Sequence, residues 1–180
     1  KCKVLNEQAL QKMANDNFSP VLLRNATAYG LSPRMRFDLV VNNLSGLAWT
    51  VKKIAMESDG TPWRPFVHVR DISRAVICSL NAPRELIHNQ IFNVGNNRSN
   101  YQIRDIANIV KQVFPGCEIT LNKDGADKRN YRVNFDKINS ALPGFSCKEN
   151  VLSGVKELLA AFKEIAMDKE MFESRHYTRL

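Results

Sequence analysis

The sequence predicts an α/β fold, and three observations carry that prediction. Helix-like and strand-like segments alternate along the chain. Its 180 residues are enough to bury a sizeable core, and the 44% hydrophobic and 24% charged content sits near the globular averages. No apolar run in the sequence approaches the roughly 18–20 residues needed to span a bilayer.

The elements follow in order. Leu5, Leu10 and Met13 are spaced to share one helical face, so the chain is expected to start inside a helix. Asn15-Asp16-Asn17 reads as a turn and 20–23 as a short buried strand, followed by the polar segment 24–27 and a loop marked by Gly30, Ser32 and Pro33. A helix is expected over 38–53, carrying Leu39, Val40, Leu44, Leu47 and Trp49. Residues 54–56 read as a strand entering the turn at 58–62, and 66–69 as extended chain. Asp71 is placed to cap a helix reaching Leu80 by accepting its unpaired backbone amides. Gln90–Val94 is a further strand, closed by Gly95. Ser99 or Asn100 can cap a helix over 103–113 with Ile106, Ile109 and Val110 facing inward. Glu118–Leu121 reads as a strand, 122–130 as an exposed charged loop, 132–134 as extended and 135–142 as a short helix ending at Pro143-Gly144. A last long helix covers 150–166, and the charged tail after Met167 is expected to dock on another part of the protein.

Charge and cysteines narrow the function classes. The 26 lysines and arginines against 18 acids give a net charge of +8 and a pI near 9.5. Those basic residues are dispersed, and no run of lysines and arginines with interleaved aromatics appears, so a nucleic-acid partner is not expected; solvated surface charge, or a few arginines holding a diphosphate, fits better. Cys2, Cys78, Cys117 and Cys147 form no CxxC or Cys/His cluster, which argues against a metal site and for reduced thiols, with Cys78 as a buried free thiol. The polar first residues give no sign of a signal peptide, and the expectation is a soluble, cytoplasmic protein without a membrane partner. No Gly-rich phosphate loop, Ser/His/Asp set or carboxylate pair is complete.

The segments VLLRNATAYG, PRMRFDLVVNNL, DGTPWRPFVHVRDISRA and IFNVG, in this order and spacing, resemble the extended short-chain dehydrogenase/reductase family of NAD-dependent nucleotide-sugar epimerases and dehydratases. The likeness runs from the first residue to about Phe145. It implies the carboxyl-terminal part of such an enzyme: residues 1–30 a remnant of the dinucleotide-binding domain, and 31–180 mainly the substrate-binding region, with sheet elements returning near 65–95. The opening KCKVLNEQAL resembles the helix that bears the family's Tyr-x-x-x-Lys motif, with Lys3 as the lysine and Glu7 its helical neighbour; the tyrosine would fall two residues before Lys1. In the family the tyrosine is the acid/base on a sugar hydroxyl while NAD (NADP also being open) exchanges a hydride, and the lysine lowers the tyrosine pKa and holds the nicotinamide ribose. Lys3 is accordingly the catalytic and cofactor-binding candidate, against the alternative of an exposed terminal lysine. Without the Gly-rich fingerprint and the tyrosine, the chain alone is expected to bind NAD weakly or not at all and to be inactive.

The same resemblance implies the other contacts. Asn25 and Ala26 lie where relatives approach the nicotinamide, and Thr27 where they approach the sugar, although many relatives carry Asn-Pro where this chain has Thr27-Ala28. Asn43, the second of Asn42-Asn43-Leu44, matches a diphosphate contact near a helix start. Arg64 in DGTPWRPFVHV matches a phosphate-gripping arginine whose planar fork donates two hydrogen bonds; Pro65 replaces the usual Asp. Arg129 in DKRNYRVNFDKI resembles a later arginine that closes over the diphosphate, with Arg132 or Lys128 as substitutes. His68 and Asp71 match His-Val-x-Asp and are read as a packed strand residue and a helix cap. The implied partner is a nucleoside-diphosphate sugar; a polyanion-binding module, or a fragment needing a partner chain, is the alternative. A sheet lacking neighbouring strands exposes a pairing edge, so a homo-oligomer or strand-exchanged dimer is expected.

Overall fold

The computed structural model describes residues 1–122 and 129–174. Lys128, one of the substitutes for Arg129, lies outside the described residues, as does most of the loop expected at 122–130. The first helix, α1 (Cys2–Met13), buries none of its residues, and Val4, Leu5 and Met13 face solvent. It is tied to the rest by the Glu7–Arg24 ion pair and by Asn89 Nδ2 donating to the Gln11 carbonyl at 3.3 Å.

Strand β1 (Val21–Asn25) is followed after one residue by β2 (Thr27–Tyr29), which starts at the end of the polar segment expected over 24–27. Helix α2 (Val40–Thr50) leads into β3 (Lys53–Met56), and β4 (Trp63–His68) into α3 (Val69–Asn81). The short α4 (Arg84–Ile87) precedes β5 (Gln90–Val94). A 3-10 turn at Asn97–Ser99 opens β6 (Asn100–Gln102) and α5 (Ile103–Val113). Then come β7 (Glu118–Leu121), α6 (Asp136–Ala141), α7 (Val151–Glu164) and α8 (Lys169–Glu173).

The pairing is mostly parallel, as an α/β chain with crossover helices requires. β1 runs parallel to β5 with Val21 opposite Gln90, β2 parallel to β4 with Thr27 opposite Phe66, and β3 parallel to β7 with Lys53 opposite Glu118. β6 returns antiparallel along β4, Arg64 facing Tyr101. Alternation along β4 serves two cores. Phe66 joins the cluster of α2, α5 and α7 (Val41, Leu44, Ile106, Val110, Val155, Leu158), while Val67 joins a second one with Phe92, Val94, Phe135 and Ile138. The spacing of Val41, Leu44 and Ala48 and of Val151, Val155, Leu158 and Phe162 gives each helix one buried stripe.

Several expectations are corrected. The helix expected at 38–53 is shorter because Leu39 is extended and Lys52 takes a φ of 57°, which ends the helical run and starts β3. Asp71 does not cap its helix. His68 does, its Nδ1 accepting from Arg70 N at 3.2 Å, while the buried Asp71 carboxylate accepts from Lys148 N and Glu149 N at 2.9 and 3.1 Å. Neither Ser99 nor Asn100 caps α5; Gln102 and Asp105 form its capping box, with Gln102 N donating to Asp105 Oδ2 at 3.0 Å. Residues 132–134 lie outside the named strands; there the Asn100 side chain bonds Val133 N and O at 2.9 and 3.0 Å. Cys78 is half-buried, and the buried thiol is Cys117. The stretch after Met167 does dock: Trp49 Nε1 donates to the Met167 carbonyl at 2.7 Å, and Phe172 of α8 is buried against α2.

Candidate functional site

The loop between β2 and α2 and the turn before β4 meet in a cleft lined by Asp38, Asn43, Glu57, Ser58, Pro62 and Arg64 among others. Its walls are set by side chains that bond backbone. Gly30, at φ +106°, lies so close to the His68 ring that a Cβ there would sit 2.3 Å from Nε2. Asn42, buried, accepts from Gly30 N at 3.0 Å and donates to the Arg36 carbonyl at 3.1 Å, closing the loop onto the helix. Asn43 is held in the same way: its Nδ2 donates to the Phe37 carbonyl at 2.9 Å.

Arg64 is only 5% exposed. Its Nη1 donates to the Trp63 carbonyl at 2.8 Å, and its guanidinium carbon stands 5.3 Å from the centre of the Tyr131 ring. Stacking on an aromatic face and a backbone bond together hold the planar fork in one orientation. The cleft also holds two carboxylates. Asp38 is neutralised by Arg36, with bonds of 2.9 and 2.5 Å, whereas Glu57 is exposed. The cavity measures about 100 Å³, well below the roughly 300–1,000 Å³ of complete small-molecule pockets.

A sequence model of the NAD dependent epimerase/dehydratase family matches residues 1–95, more than half of the chain. The chain belongs to that family. Solved structures share its fold. An epimerase of the thermophilic methanogen Methanothermobacter thermautotrophicus covers 99% of this chain with a TM-score of 0.78 at 19% identity, over 52% of its own length. The UDP-glucose 4-epimerase of Thermotoga maritima, solved with UDP-glucose, covers 92% (TM-score 0.75, 21% identity, 53% of its own length). The dTDP-glucose 4,6-dehydratase of Bacillus anthracis, solved with NAD, covers 89% (TM-score 0.71, 18% identity, 49% of its own length). The chain thus spans about half the length of the structures it matches.

Against this epimerase/dehydratase background the structure gathers Asn43 and Arg64 and leaves the other sequence candidates elsewhere. Lys3 is exposed on α1, and its ammonium makes no ion pair among the described residues; Glu7, its helical neighbour, is engaged instead by Arg24 at 2.5 Å. Asn25 ends β1 exposed, opposite Val94; Ala26 N donates to the Val94 carbonyl at 3.1 Å; Thr27 opens β2. These three residues carry the chain from one parallel pair to the next. Arg129 is exposed and is not among the cleft-lining residues, although its neighbour Tyr131 stacks on Arg64. Sequence reasoning missed Tyr131, Asp38 and Glu57. The signal for Tyr131 was an aromatic beside Arg132 and two residues after Arg129, in the segment read as closing on phosphate.

A second polar junction is structural. Because His68 Nδ1 accepts from Arg70 N, Nε2 carries the proton and donates to Glu157 Oε2 at 2.9 Å, while Arg70 also pairs with Glu157. The adjacent Tyr29 hydroxyl is pushed far above its ordinary pKa by burial first and then by the Asp71 carboxylate. Tyr29 therefore stays protonated, the reverse of what an acid/base tyrosine needs. No group of three or more metal-ligating side chains occurs among the described residues, and no described helix is long and apolar enough to cross a membrane.

Proposed function

We propose that the protein acts on a nucleoside-diphosphate sugar as part of an NAD-dependent epimerase or dehydratase, and that the cleft at Asn43 and Arg64 grips the substrate's diphosphate. The observation that carries this reading is the meeting of those two side chains, from α2 and β4, in one cavity. Arg64 supplies a charged fork whose orientation is fixed before the ligand arrives, which reduces the ordering cost of binding. Asn43 supplies an amide hydrogen from the first turns of α2. Glu57, an acceptor only, suits hydroxyl or N–H donors of the nucleoside rather than phosphate oxygens.

The cleft at Asn43 and Arg64 is too small for a dinucleotide, and Tyr29, held neutral by burial, does not suit the acid/base role. NAD supplies hydride exchange in this family, and we infer that these residues alone hold it weakly. Lys3 keeps the role of favouring a phenolate beside it, and Asn25, Ala26 and Thr27 that of lining the nicotinamide and sugar end. Arg129, two residues before the Tyr131 that stacks on Arg64, is the reserve diphosphate contact. Reduced cysteines and a cytoplasmic setting suit such chemistry.

The test is calorimetric titration with UDP-glucose, NAD and duplex DNA. UDP-glucose binding that falls about tenfold or more in Arg64→Lys, with circular dichroism unchanged, is the expected result. Salt-dependent DNA binding without UDP-glucose binding overturns the reading.

A further inference from the structure

We propose that the reverse face of the β4–β6 ribbon carries a second anion site, a groove that binds a phosphoryl group between Arg98 and Arg132. Side chains alternate across a strand, and Arg64 lines the cleft on one face. Its neighbour Trp63 lines a separate groove with Asn97, Arg98, Asn100, Arg132 and Asn134, of about 470 Å³. That volume admits a small phosphorylated molecule.

The asparagines of this groove are spent on its walls. Asn97 donates to Asp136 Oδ1 at 2.6 Å and accepts from Phe135 N at 2.8 Å; Asn100 bridges Val133 N and O; Asn134 donates to Asp136 Oδ2 at 2.8 Å. Asp136, whose carboxylate meets two of these asparagines, is thereby engaged by two amides. The groups left for a ligand are the two guanidiniums. Arg24, Arg36, Arg70 and Arg74 each meet a carboxylate, whereas neither Arg98 nor Arg132 does so among the described residues. Arg132 is steadied by Trp63, its guanidinium carbon 5.1 Å from the ring centre, and the Arg98 backbone by the Asn96 side chain, which accepts from Arg98 N at 2.9 Å. Two planar forks lining one groove match an anion with three oxygens; a carboxylate would engage one fork and leave the other.

The groove shares no lining residue with the Arg64 cleft, so the inference stands apart from the diphosphate reading. The experiment is titration of the whole chain with inorganic pyrophosphate at low ionic strength, followed by calorimetry and by the Trp63 indole N–H resonance. Uridine monophosphate and acetate serve as separate arms. Saturable pyrophosphate binding that shifts the Trp63 resonance, and that weakens about tenfold or more in R98A/R132A but not in Arg64→Lys, is expected. Both arginines are exposed, so the double variant should fold, which circular dichroism checks. Uridine monophosphate binding as well as pyrophosphate identifies a phosphate ester as an acceptable source; pyrophosphate alone identifies the free anion. Binding unchanged in R98A/R132A, acetate binding as well as pyrophosphate, or no saturation in the millimolar range overturns the proposal.

Discussion

Replacing Asp71 with alanine removes a clasp between two segments far apart in sequence. The buried carboxylate accepts from Lys148 N at 2.9 Å, from Glu149 N at 3.1 Å and from Arg74 Nη1 at 2.5 Å, fixing the approach to α7 against the start of α3. Hydrogen bonds to a charged acceptor contribute about 1.5–3 kcal/mol each. The two amides are only partly buried and Arg74 is 38% exposed, so water recovers part of the loss. We therefore expect Asp71→Ala to destabilise the fold by about 3 kcal/mol, which for a chain of this size lowers Tm by about 6–12 °C. Asp71→Asn keeps one acceptor oxygen and should lose roughly half as much. Urea unfolding followed by tryptophan fluorescence gives the free energies. Hydrogen exchange localises the effect, since the Lys148 and Glu149 amides should lose protection while the first turn of α3, capped by His68, keeps it. A loss below about 1 kcal/mol, or unaltered protection at those two amides, would refute the reasoning.

A Cβ on Gly46 would lie 2.2 Å from the Phe172 ring, so Gly46→Ala should drive α8 off α2 at a cost of about 1–3 kcal/mol; in a Phe172→Ala background the same change should become neutral or favourable, as a double-mutant cycle reads. The Arg24 hydrogen bond holds the Glu7 carboxyl below its ordinary value of 4.5, so its contribution to anchoring α1 is present above that pH and is lost as pH falls through the lowered folded value. NMR titration should find the depressed Glu7 pKa return to the ordinary range in Arg24→Ala. Burial, with Asp71 adding to it, pushes the Cys147 thiol up to about 12, and burial also raises Cys117; alkylation at pH 8 followed by mass spectrometry should modify the exposed Cys2 well before either. Among the described residues β1 pairs only with β5, leaving one strand edge open beside the exposed Val76 and Leu80, and light scattering should report a mass above the 20.5 kDa monomer; a monodisperse monomer would count against self-association.

The α/β class, the strands at Gln90–Val94 and Glu118–Leu121 and the amphipathic helices were legible in the sequence because period and turn residues are local properties. So was family membership, carried by short motifs in a fixed order. Asn43 and Arg64 could be named from those motifs, but their meeting in one cavity depends on how α2 packs beside β2 and β3, which no local pattern encodes. Asp71 shows the same limit from the other side. Its position before an apolar helical stretch favours a cap, yet the bond it makes reaches Lys148 and Glu149, and a nearby imidazole takes the cap instead. Tyr131 beneath Arg64, and Arg132 over Trp63, likewise arise when a distant segment is laid along β4. The sequence by itself determined which residues have the chemistry to bind phosphate; only the tertiary structure decided which of them face one cavity, because that depends on contacts between residues remote along the chain.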